Sequence, residues 1–169
     1  MTNGMPSSLR SGRRTNILED PVLRWLLAAA HLLALGIGLG AVWVRARALT
    51  SVARDRTALA RALAADSVWG VAALLWVTTG LWRLLAGTEK PTQYYLGNHA
   101  FWTKMALFLV ILALEIRPMI TLIRWRILLA KGGVPDLTPA PRLAWISYVQ
   151  AVLVVLMVLA ATAMARGLG

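Results

Sequence analysis

Histidine, lysine and glutamate can ligate metals, move protons or pair with charges, and this sequence sets them in and beside long apolar runs. His31 lies near the middle of one run, Lys104 and Glu115 lie in another, and His99 stands at its edge. An ionisable group in a bilayer core costs roughly 3 kcal/mol or more. A chain that keeps such groups there gives them something to bind. Arg83 and Met157 complete the candidate set. The arginine suits a carboxylate or a propionate, and the methionine is a thioether that can ligate iron.

Spacing decides which of these groups share a face. Residues seven apart on a helix lie about 20° from being in line. Arg24, His31, Gly38 and Arg45 therefore form one stripe, and polar stripes in a span face the bundle interior. Gly38 either leaves room for a flat cofactor beside the imidazole or, with Gly36 and Gly40, lets helices pack closely. In the next run Trp69, Trp76 and Arg83 share a stripe, with Thr79 and Gly80 beside it. Trp76 is too deep for an interfacial belt. Arg83 either snorkels to the surface or holds an anionic group. Lys104 and Glu115 both face inward but stand about 16 Å apart, so each needs a partner from another helix or a ligand. His99 points about 140° away from Lys104 and reads as a solvated interfacial residue. Gln150, Met157 and Met164 share the stripe of the last run. Met157 is either core filler or an axial ligand at the depth of His31.

The elements that position these residues follow from composition. Of 169 residues, 59% are hydrophobic, and the mean hydropathy is +0.65, more apolar than a soluble domain. The absence of cysteine excludes disulfides and thiolate chemistry. The formal charge of +11 arises from 18 Lys/Arg against 7 Asp/Glu. Most of the basic residues lie in tails and loops between apolar runs, so the expected partners are the bilayer and its anionic headgroups, not nucleic acid. Four runs, at about residues 22–44, 68–85, 100–123 and 143–165, are long enough to cross about 30 Å of hydrocarbon. Short connections predict an all-α, antiparallel, four-helix membrane bundle over residues 21–169, preceded by a disordered basic tail at 1–20. The first run resembles a signal peptide in its flanking arginines. Its apolar stretch is about twice the usual length, and Arg45 and Arg47 close it like a stop-transfer signal.

Basic residues crowd the first and third loops, which predicts those loops on the cytoplasmic side of a bacterial inner membrane and both termini outside. Arg47, Arg54 and Arg61 recur every seven residues among Leu49, Val52, Leu59 and Leu63. That pattern fits either a helix lying on an anionic surface or a helical extension of the flanking spans. No nucleophile–base–acid set, phosphate loop or metal-ligand spacing appears.

The segments Thr79-Gly80-Leu81-Trp82-Arg83, Tyr94-Tyr95-Leu96-Gly97-Asn98, Phe101-Trp102-Thr103-Lys104-Met105, Ile116-Arg117-Pro118 and Arg124-Trp125-Arg126 resemble a bacterial family of small four-helix inner-membrane proteins with no assigned activity. The likeness covers residues 22–165. More distantly, a histidine in the first span and an aromatic-x-Lys opening of the third are similar to the HemJ-type protoporphyrinogen oxidases and the membrane domain of copper-resistance protein D. The HemJ likeness implies a b-type haem linked to His31 and Lys104. The first span departs from that family where Val44-Arg45-Ala46-Arg47 replaces a Leu-Pro-Arg-Leu-like segment.

Three expectations result. The first is a haem-b protein for electron transfer or oxidation of a small lipophilic substrate, with His31 as the iron ligand, Lys104, His99 or Met157 opposite, and Arg83 or Arg24 at the propionates. The second is a non-catalytic membrane subunit or scaffold that binds anionic lipid or a partner protein through its basic loops. The third is a small oligomeric transporter using Lys104, Glu115 and His31.

Overall fold

The computed structural model describes residues 20–85, 97 and 99–166. The tail at 1–19 and most of the segment between the second and third spans lie outside the described residues. Four helices form: α1 (Pro21–Ser51), α2 (Thr57–Leu85), α3 (His99–Ala130) and α4 (Ala140–Ala165), and no strand occurs among the described residues. All four are long and apolar enough to cross a membrane.

Local chemistry sets the helix ends. Asp20 caps α1 by accepting from the Val22 amide, and Pro21 opens the helix where an amide donor has no partner to lose. Asp55 and Asp136 repeat one device in the loops before α2 and α4. Each carboxylate accepts from the backbone amide and the hydroxyl of the threonine two residues on, Thr57 or Thr138. These bonds hold both carboxyls below the usual value of 3.8. At the end of α3, Gly133 N–H reaches the Leu128 carbonyl and Gly132 N–H the Leu129 carbonyl. Gly132 takes φ +73° there, the left-handed turn that suits glycine.

Every helix is longer than its apolar run. The span boundaries at 44, 68, 123 and 143 mark where charge begins, whereas hydrogen bonding carries the helices onward. At 26 to 32 residues they measure about 39–48 Å, more than the hydrocarbon alone. The first loop shrinks accordingly to residues 52–56. Arg47 belongs to α1 and Arg61 to α2, while Leu49, Val52 and Leu59 are buried. The heptad of arginines is thus an extension of two spans, not a separate surface helix.

Helix α1 is the hub. It packs closely on α2 and α4, α4 packs on α3, and α2 and α3 barely meet. In lipid, helices gain little from hydrophobic burial and associate by close packing of small residues. The α1 and α2 faces supply them: Ala34, Gly38, Ala41, Ala46 and Ala48 on one, Ala58, Ala62, Ala65 and Ala72 on the other. Two apolar clusters result. One lies at the loop end around Leu49, Leu122, Trp125 and Leu143. The other lies in the body around Val42, Trp69, Ile111, Val154 and Met157.

Candidate functional site

Between the two apolar clusters lies a polar layer centred on Arg45, which is 0% exposed. All five guanidinium donor directions are used. Nη1 donates to Asp66 at 2.7 Å and to Glu115 at 2.8 Å. Nη2 donates to the second Glu115 oxygen and to Gln150, both at 2.8 Å. Nε donates to Ser147 at 3.1 Å. Gln150 in turn donates to Glu115 at 2.7 Å, and the Trp69 ring lies 5.9 Å from the guanidinium carbon. Arg126 joins from α3, donating to the other Asp66 oxygen at 2.9 Å and to the Leu63 carbonyl. Two arginines thus meet two carboxylates, with residues from all four helices. A planar fork matched to carboxylates is the geometry that makes a buried arginine tolerable.

The inward face expected for Glu115 is real, and its partner is Arg45. Sequence reasoning placed Arg45 on the interior stripe but also treated it as the end of the span, and it left Asp66 in the first loop. The signal was available: Asp66, Trp69 and Trp76 fall at helical spacing, which carries the second span's interior face upstream of residue 68.

Further along the α1 stripe, His31 is buried. Its Nδ1 lies 3.0 Å from the Thr79 hydroxyl, and that hydroxyl donates to the Leu75 carbonyl at 2.7 Å. The imidazole stacks on Trp76 at 5.4 Å. A Cβ at Gly80 would meet the His31 ring at 3.0 Å, so the glycine is what lets the two helices close here.

The other candidates are dispersed. Lys104 sits half-buried in the second turn of α3, and His99 is exposed at its first residue. The backbone of Arg83 belongs to the end of α2, while its side chain lies outside the described residues. Met157 is 2% exposed and packs in the apolar body. Gly38 leaves no open slot, because the Trp69 ring lies 3.3 Å from where its Cβ would be. A cavity of about 60 Å³ lies beside Met157, Trp69 and Trp76, and His31 is not in its wall.

These dimensions test the haem expectation. A tetrapyrrole is a plate of four pyrrole rings, far larger than a 60 Å³ cavity. The imidazole is already covered by Trp76 and Gly80. As packed, the residues do not fit a haem. Among the described residues no cluster of three or more His, Cys, Asp or Glu can hold a metal ion.

Four apolar helices around a buried charge layer define an integral-membrane four-helix bundle. The chain belongs to the family described as predicted membrane protein (DUF2214), whose model matches residues 23–169. Nothing among curated proteins and nothing among solved structures matches it, so the likeness to HemJ-type oxidases gains no support there.

Proposed function

We propose that this chain is a non-catalytic membrane subunit or scaffold whose basic end binds anionic phospholipid headgroups. One observation carries the reading: in the buried layer Arg45 and Arg126 are met by Asp66 and Glu115, while the charge left outward at the loop end is overwhelmingly positive. Arg47, Arg54, Arg56, Arg124, Lys131 and Arg142 are all exposed. The loop acids Asp55 and Asp136 are engaged by their own threonines, and Asp55 also pairs with Arg61 at 2.6 Å. Juxtamembrane arginines and lysines each gain about 1 kcal/mol near an anionic surface.

In this reading the loops at 52–56 and 131–139 face the cytoplasm of a bacterial inner membrane, and both termini lie outside. Labelling single cysteines introduced into this cysteine-free chain tests that orientation. The lipid preference is tested by native mass spectrometry of protein purified from mixed phosphatidylglycerol and phosphatidylcholine. Wild-type protein retains phosphatidylglycerol, and R47Q/R54Q/R56Q loses it. Equal retention by both proteins ends the proposal. A haem on His31 is the competing reading, and it requires α2 to part from α1 where Trp76 and Gly80 cover the imidazole. A Soret band in protein from haem-replete cells, absent in H31A, would establish it instead.

A further inference from the structure

Among the described residues, the indole N–H of Trp76 is a buried donor with no acceptor. Leaving such a donor unpaired is costly, yet the ring is firmly held. It stacks on His31 and tilts against Phe108 with ring centres 5.5 Å apart. Trp76 also borders the 60 Å³ cavity, whose other walls are almost wholly apolar. The cavity reaches the outer surface of the bundle at Leu112, a wall residue that is 46% exposed. That opening is the seam where α2 and α3 barely meet.

Depth narrows what can supply the missing acceptor. The exposed Trp43 and Trp145 mark a membrane interface close to the Arg45 layer, since Trp43 is two residues from Arg45 and Trp145 two from its partner Ser147. Trp76 is seven residues beyond Trp69, which touches Arg45, and therefore about 10 Å deeper. Phospholipid ester carbonyls stay near the headgroups, and bulk water is absent at that depth. A water trapped in the cavity would find almost no second polar partner among its apolar walls, so an acceptor carried by a molecule that dissolves in hydrocarbon fits better. A flat ring suits walls made by Trp69, Trp76 and Phe108. The cavity holds a carbonyl and its adjacent carbons, and the rest of the ring lies in the seam.

We propose that the α2–α3 seam is a binding site for a lipophilic quinone, one ring carbonyl accepting from Trp76 Nε1. The site is independent of the lipid-binding reading, whose arginines lie at the loop end.

The indole N–H signals of ¹⁵N-labelled full-length protein report on it directly. The protein is placed in nanodiscs of diether phosphatidylcholine, which lacks ester carbonyls, and W76F assigns the Trp76 signal. Titration with decylubiquinone moves that signal downfield and saturably, while the signal of the exposed Trp43 stays in place. L112W, which plugs the seam and keeps Trp76, raises the half-saturating concentration by about ten-fold, equivalent to about 1.4 kcal/mol. A Trp76 signal that ignores decylubiquinone, or L112W behaving as wild type, overturns the proposal. So does a signal shifted by diester lipid alone, which would assign the acceptor to phospholipid.

Discussion

Arg45 and His31 occupy the same stripe of α1, fourteen residues apart, and the fold treats them differently. The guanidinium is held by three other helices and has every donor spent. The imidazole is held chiefly by α2, through one hydroxyl and one stacked ring. The difference teaches how a membrane interior prices charge. A permanent cation must bring its counter-ions into the bundle and so dictates where other helices go. His31 is seated within one closely packed helix pair, by a hydroxyl contact, a stacked ring and the close approach at Gly80.

The comparison can be broken at its strong pole first. Arg45→Leu removes the cation shared by Asp66 and Glu115 and leaves Arg126 and Gln150 as their described partners, and the expected loss is about 3–5 kcal/mol. It is seen as a collapse of the thermal transition in detergent, or as failure to accumulate folded protein. Glu115→Gln removes one carboxylate but leaves Asp66 on Arg45, with an expected loss of about 1.5–3 kcal/mol. If both substitutions prove nearly neutral by thermal shift, the layer does not organise the bundle. At the weak pole, Thr79→Val should cost about 1 kcal/mol, because it removes one hydrogen bond from a pair of helices already joined by small residues. A loss as large as that of Arg45→Leu would erase the contrast. The smallest effect concerns acid. Asp55 and Asp136 lie outside the spans with carboxyls held below 3.8. Their contribution is therefore present above that value and fades as pH falls through the lower folded one. D55N/D136N should flatten the acid limb of stability against pH, with a small loss at neutral pH, where the carboxylates' contribution is present, and almost none at the acid end, where it has already faded.

The bundle was legible in the sequence because hydropathy and length report directly on what dissolves in a bilayer. The inward faces of His31, Glu115 and Gln150 were legible too, since a seven-residue stripe survives any detail of packing. The ion layer was not. Asp66 stands ahead of its apolar run, and only the early start of α2 at Thr57 brings it into the interior. Nor did spacing reveal that Trp69 fills the notch at Gly38, because side-chain volume across a helix interface leaves no periodic trace. Met157, one candidate ligand, lies where a thioether serves as packing.

The charge layer also divides evenly by chain order. The hairpin α1–α2 supplies Arg45 and Asp66, and the hairpin α3–α4 supplies Glu115 and Arg126. Within the layer each hairpin therefore contributes one base and one acid. The first hairpin can close its own Arg45–Asp66 pair before the second is synthesised. Glu115 then completes the guanidinium, and Arg126 meets the oxygen of Asp66 that Arg45 leaves open. At this layer the docking of the two halves is itself an exchange of opposite charges.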